Sequence, residues 1–568
     1  MATRTTDGTR AEDQDEPLLN LSNLTTPLTP IQQQQSVITR ESIAQLDAET
    51  KHQLTLIKFL GRPYAARSFF WTRLWPLSLI LGAFLGLLTA AFVELLNVFN
   101  GFWFTPEAKH GPWWWMAVTS GGGLLGALIL IFPGAPRPGM TRTIYHDARD
   151  LKGSPVQTPF LVISCLVTLA TGAPLGPETA IGALGSGLAA FLTKRIGFTR
   201  RDGAVLIQSC LVGSLAGLFL SPILAVALVH ELSVSGRPMD FLIDSLVASE
   251  QRIPRDVLVH SDHDYMEQIV VAGTAATTAH VVLHLVAPST YQWFQIVELG
   301  TPEAFALWHL AAAIPIGLVC GKFGMLATGL MGLFRYVRVA TCEMLHERLH
   351  LPKAFGWILF PALAGAIHGL FTIWHPKLAG SGIDFLVSTI QQDVTFSNVP
   401  WIMLTAVSKM VAMALCLGFG MVGGQIFPMI FIGLCLGMGM TPLVPISLAV
   451  PSCMAATLGS FFPAPITLVL YVAFTLSLSV KQIGPVFVAT FIAFTLVGGS
   501  GVSKKLGEKH LGYVAPEVDF SRWERQNEGG EEEVFQYEAL DDEEEEKQDE
   551  EITREIATAV FGDVTPLF

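Results

Sequence analysis

Charge is what this sequence has least of. Only 15% of its 568 residues are Asp, Glu, Lys or Arg, while 51% are hydrophobic. Ordinary soluble domains carry about 25% charged residues, so the shortage excludes a chain whose whole folded surface meets water. Cysteine is sparse as well. Cys165, Cys210, Cys320, Cys342, Cys416, Cys435 and Cys453 form no CxxC pair, and most sit in apolar runs. They read as reduced packing residues. The first 50 residues lack the apolar core of a secretory leader, and their mixed acidic and basic groups do not suit an acid-poor transit peptide.

What is present is apolar sequence in long blocks. Runs at 77–96, 114–132, 304–319, 402–419 and 486–497, the shorter ones extended by their neighbours, approach or exceed the roughly 18–20 residues that cross a bilayer. The expectation is an all-α, polytopic membrane protein in a lipid bilayer, with compartment undetermined. The net charge of −13 is local: residues 531–551 hold thirteen acidic residues and one lysine. Such a run reads as a solvated tail, with docking of an unknown regulator as the second reading. The expected organisation is a cytosolic, largely disordered arm over 1–66, a membrane domain over 67–505, and an acidic cytosolic tail over 506–568. The basic, aromatic flank at 62–73 places the arm in the cytosol by the positive-inside tendency. Connections are expected at 97–110, 194–201, 234–266 and 335–353. Sequons at Asn20 and Asn23 and an acidic dileucine pattern from Asp15 are weak sorting or modification signals.

The stretch 172–187, GAPLGPETAIGALGSG, breaks the apolar pattern with two prolines, five glycines and one carboxylate, Glu178. Glycine and proline exclude an uninterrupted membrane helix there, and an ionisable residue at membrane depth is a functional-site hypothesis by default. The stretch also belongs to an internal repeat. Gly134 opens GAPRPGM and Gly172 follows 38 residues later; Gly380 opens GSGIDFL and Gly418 follows 38 residues later. Those pairs are offset by 246, and Pro222 in SPILAVALVHE precedes Pro465 in APITLVLY by 243. Two copies of one helical unit, about 74–235 and 266–500, would bring broken helices and their glycine turns together. Irregular backbone at that depth is tolerated where protein buries it or where it lines a polar cavity.

With these motifs in order, the chain resembles the CLC family of chloride channels and proton-coupled anion exchangers over roughly residues 70–500. GAPLGPETAIG resembles the family's GREGP or GKEGP signature, with Glu178 at the glutamate. GGQIFP at 423–428 resembles GGxFxP with the phenylalanine one place late, and GAPRP at 134–138 resembles GSGIP. LAGLFLSPILAVALVHEL, HPKLAGSGIDFL and MAATLGSFFPAPITLVLY resemble further segments of the fold. The resemblance implies an inverted repeat of tilted and broken helices, a homodimer with one anion pathway per subunit, and cytosolic termini. It implies that Glu178 stands in the anion path as a surrogate anion and gates it. Chloride needs partial positive charge without full lysine pairing, which helix N-termini supply. The anion-binding candidates, mainly through backbone N–H groups, are Gly134, Ala135, Gly176, Pro177, Gly424, Gln425 and Ile426. Arg137 is the one cation within the three signatures. No cofactor and no nucleic-acid partner is expected, and nitrate or another small anion is an alternative to chloride.

Departures from the family pattern matter. The first-signature serine aligns with Ala135, which has no hydroxyl. The family's pore tyrosine has no clear match; Tyr471 falls early, and Thr475 or Ser477 could substitute. The second glutamate that exchangers use for proton entry aligns with Leu232, directly after His230 and Glu231. Leucine cannot relay a proton, which favours a gated chloride channel over a proton-coupled chloride or nitrate exchanger, with a small shift to His230 or Glu231 restoring a relay. A remote alternative is an intramembrane zinc metalloprotease, from the HExxH match His346–Glu347–Arg348–Leu349–His350. No third ligand motif follows it. GGGLLG at 121–126 matches GxGxxG, but without a preceding strand it reads as small-residue helix packing. No region after Gly501 is long enough for the paired nucleotide-sensing domains of many eukaryotic relatives.

Overall fold

A computed structural model of the chain describes residues 73–499, apart from 105–112, 133–134, 136–146, 149–152, 197, 199, 220, 235–261, 289–305, 383–384 and 391–396. The arm at 1–66, the acidic tail at 506–568, the sequons and the dileucine pattern lie outside the described residues.

The described residues are helical. In chain order they form α1 (Trp75–Phe104), α2 (Trp114–Ile129), α3 (Thr158–Ala170), α4 (Glu178–Ile196), α5 (Arg200–Ala216), α6 (Pro222–Val234) and α7 (Asp262–Val286). There follow α8 (Leu307–Leu349), α9 (Lys353–Trp374), a 3₁₀ turn at Pro376–Leu378, α10 (Leu386–Ile390), α11 (Val399–Gly418), α12 (Ile426–Met440), α13 (Ile446–Gly459), α14 (Pro465–Thr475) and α15 (Val480–Gly499). Six helices are long and apolar enough to cross a membrane, and seven apolar helices are shorter. Large apolar side chains such as Ile80, Leu285, Leu318 and Phe487 face outward, as a lipid-facing surface requires, while none of the seven cysteines forms a disulfide and all but Cys342 are buried.

Two expected connections are corrected. The segment 97–104 continues α1, and the basic stretch 335–349 continues α8, a helix of 43 residues. At 1.5 Å per residue α8 is about 65 Å long, well beyond a ~30 Å hydrocarbon core, so its basic end needs no loop to leave the apolar layer. The apolar run 114–132 yields a helix of only 16 residues.

Helix order repeats across the two halves, and so does packing. α1 packs on α7 as α8 packs on α15, which groups α7 with the first copy. The GxGxxG stretch is a packing surface of α2. A Cβ at Gly123 would strike the carbonyl of Pro361, and one at Gly365 would strike that of Thr119. Thr119 Oγ donates 2.6 Å to Gly365 O, and Ser120 Oγ 3.0 Å to Ala362 O, so α2 and α9 are also joined by hydroxyls, an arrangement favoured where water is absent.

Candidate functional site

The site is two short turns, one from each copy. α3 ends at Ala170 and α4 starts at Glu178; α11 ends at Gly418 and α12 starts at Ile426. Each turn opens with matching hydrogen bonds: Gly172 N to Leu169 O and Ala173 N to Thr168 O, against Gly420 N to Leu417 O and Met421 N to Cys416 O. The offset is 248, so the partner of Gly172 is Gly420, two residues beyond the Gly418 expected from spacing. Both carry left-handed backbone, with φ of 88° and 95°, which glycine adopts without a Cβ penalty. The 243 offset of Pro222 and Pro465 holds, since both open helices. Proline suits that position because its missing N–H is one of the unpaired donors anyway.

The turns bind one another directly. Gly176 N donates 2.9 Å to Gly424 O and Gly424 N donates 2.7 Å to Gly176 O, as an isolated antiparallel bridge. These residues are equivalent in the 248 register, so the chain meets its own repeat running the opposite way, which is how an inverted repeat meets at its pseudo-axis. Thr168 Oγ adds a 2.7 Å bond to Val422 O. The bridge also changes the inventory of donors. The amides of Gly176 and Gly424 are engaged with each other, Pro177 has no N–H, and Ala135 donates 3.0 Å to Phe132 O. Gly134 and Arg137 lie outside the described residues. Gln425 and Ile426, at the start of α12, are the candidates whose amides face Glu178.

Glu178 is the first residue of α4 and is 2% exposed. Its Oε1 accepts from Ile426 N at 2.5 Å, while Oε2 is buried without a hydrogen bond. The amides of Gln425 and of Glu178 itself also point toward the carboxylate. The carboxylate of the first copy therefore lies on the N-terminus of the equivalent helix of the second, where partial positive charge favours an anion. A Cβ on Gly424 or Gly176 would overlap that carboxylate. Glycine at both positions is thus a space requirement of the docked glutamate.

Two buried residues of this region were not singled out from sequence. Lys409, in α11, is fully buried, and its Nζ donates to Leu378 O at 2.8 Å, Ala379 O at 3.3 Å and Gly380 O at 2.5 Å. His368, in α9, is also fully buried and its Nε2 lies 2.9 Å from Gly172 O. A carbonyl only accepts, so Nε2 carries the proton. Gly172 O receives a second bond from Gly380 N at 2.9 Å. The signal available in the sequence was a lone lysine inside an apolar run and a histidine inside another.

The possible proton relay is built differently from its three-residue adjacency. Leu232 is 1% exposed. Glu231 caps α14: it accepts from Ile466 N at 3.0 Å, Thr467 N at 2.8 Å and Thr467 Oγ at 2.7 Å. Both of its oxygens are engaged in joining the two copies. The carbonyl of His230 accepts from Ser233 Oγ at 2.7 Å. Among the hydroxyl candidates, Tyr471 is buried edge-on against Phe219 and lies within electrostatic reach of Glu178. Thr475 Oγ donates 2.8 Å to Tyr471 O. Ser477 is exposed, in a left-handed turn with φ of 49°.

The HExxH pattern is not a two-histidine helix face. α8 ends at Leu349, and His350 is its left-handed cap with φ of 51°. His346 Nδ1 lies 2.8 Å from Leu351 O. Among the described residues no group of three or more His, Cys, Asp or Glu converges as metal ligands, and the protease alternative loses the geometry it rested on.

The family model described as "Voltage gated chloride channel" matches residues 141–498. Curated relatives include "Putative ion-transport protein YfeO" of Salmonella schwarzengrund (strain CVM19633), 27% identical over 376 residues, covering 62% of this chain and 77% of the relative. The Salmonella typhimurium (strain LT2) protein of the same name is 26% identical over 375 residues with the same coverage. Among solved structures, a slow cyanobacterial Cl⁻/H⁺ antiporter matches with TM-score 0.59 and 18% identity over 78% of this chain and 99% of its own. A CLC-type fluoride/proton antiporter matches with TM-score 0.53 and 19% identity over 75% and 96%. At these identities the two structures speak to the fold.

Proposed function

The chain belongs to the voltage-gated chloride channel (CLC) family of anion transporters, and from that premise we propose that it is a channel that conducts chloride passively, one pathway per subunit of a homodimer, with Glu178 as its gate. The observation that carries the gate is the seat of Glu178 on Ile426 N–H at 2.5 Å. Anion and carboxylate compete for the same helix end there. Displacing or protonating Glu178 frees the N-terminus of α12 for chloride, and redocking closes it. Helix ends suit this task because their partial charge holds an anion firmly enough to select it and weakly enough to release it.

Passive conduction over exchange is supported by the residues at the end of α6. A proton travelling to Glu178 needs a titratable group on the way, and Leu232 offers none. Glu231 next to it is fixed as the cap of α14 by three hydrogen bonds. The second reading, proton-coupled exchange, draws on Glu178 itself, a buried carboxylate whose Oε2 has no hydrogen bond and is free to carry a proton. Purified protein in vesicles with an imposed chloride gradient separates the two. The channel reading predicts chloride flux without uphill proton movement, and stoichiometric proton movement would replace it with exchange.

A further inference from the structure

Among the described residues, Lys409 is one of the largest side chains buried to below 2% exposure. A lysine inside a membrane protein is costly to desolvate, so its retention calls for a task. An ammonium has three donors, and Nζ reaches three successive carbonyls, those of Leu378, Ala379 and Gly380. These are the last carbonyl of the 3₁₀ turn Pro376–Leu378 and the two beyond it, groups that a helical end leaves unsatisfied and that carry partial negative charge. With its carbonyls gathered around Lys409, the turn presents the Gly380 N–H to the other copy. That N–H donates 2.9 Å to Gly172 O, at the start of the loop that ends in Glu178. Gly380 and Gly382 both take left-handed backbone, with φ of 59° and 92°, which glycine adopts without a Cβ penalty. The Lys409 ammonium also lies 5.6 Å from the ring centroid of Phe431, in α12, the helix whose N-terminus holds Glu178.

We infer that Lys409 is a positioning residue of the anion pathway: it clamps the second copy's glycine turn against the loop that carries Glu178, and so holds that loop in place at the start of α12. This rests on the reading of that helix start as the anion seat. The lysine has no counterpart in the first copy, where the 248 register places Leu161, so this clamp belongs to the second copy's turn alone.

Lys409→Arg, Lys409→Gln and Lys409→Met, each alone and with Glu178→Gln, test the inference. Chloride affinity is measured at equilibrium on purified protein, and chloride flux in vesicles; size-exclusion profile and thermal unfolding report folding. The expected result is chloride affinity about tenfold weaker in the folded Gln and Met variants, with the Arg variant within about threefold of the parent. If Lys409→Met does not fold, Lys409→Gln against Lys409→Arg gives the same comparison. Unchanged affinity in the neutral variants, or an Arg variant as weak as Met, would overturn the inference. Failure of the gate assignment would show separately, as Glu178→Gln with parental flux, because the affinity comparison needs no gating.

Discussion

Gly424→Ala adds one methyl group at the most telling place in the molecule. The new Cβ would overlap the carboxylate carbon and Oε1 of Glu178. Gly424 is not among the positive-φ glycines, so alanine brings no backbone strain, and its retained N–H keeps the bond to Gly176 O. What is lost is the docked carboxylate and its hydrogen bond from Ile426 N. A hydrogen bond to a charged group contributes about 1.5–3 kcal/mol, and each ~1.4 kcal/mol is a factor of ten. The docked population should fall by about tenfold to about a hundredfold. In vesicles, Gly424→Ala is expected to raise chloride efflux and flatten its pH dependence in the range where the parent gates. Combined with Glu178→Gln it should add little, because both changes remove the same interaction. Slower or unchanged efflux with the parental pH profile, or full additivity in the double variant, would refute the reasoning.

Other consequences are equally direct. Glu231→Gln keeps the shape but weakens a charged cap on α14, and a loss of about 1–2 kcal/mol is expected, read as a lower thermal midpoint in detergent with anion selectivity retained. Gly365→Val places bulk against the Thr119 carbonyl across the α2–α9 contact; overpacking typically costs about 1–3 kcal/mol, and poor recovery of folded protein on size exclusion is the expected result. Dialysis against a chelator should leave chloride flux unchanged, whereas stoichiometric bound zinc lost with activity would revive the metal site at His346 and His350.

Much of this site was legible because it is made of residues with few other uses. Glycine and proline inside apolar sequence signalled broken helices, and a carboxylate there marked the residue that docks on the start of α12. The register was less legible. Gly418 has the spacing of a turn glycine, yet it completes the last turn of α11, and the left-handed residue is Gly420. Composition cannot tell a glycine packed against Phe334 from one required by its φ. The amides of Gly176 and Gly424 looked available to an anion because pairing between the copies is a tertiary fact. Lys409 was silent for the same reason: its acceptors are backbone carbonyls of residues 378–380, which no side-chain pattern announces. Glu231 looked like a titratable neighbour of Leu232, and only the approach of α14 makes it a cap.

The central claim is that the Glu178 carboxylate, seated on the start of α12, closes the anion path. Its most direct test is chloride conductance of Glu178→Gln in reconstituted membranes as pH is varied. The account predicts a higher open probability and loss of most of the pH dependence, since glutamine has the shape of a protonated gate and no charge to hold it on the helix end. Conductance and pH response equal to those of the parent would contradict it.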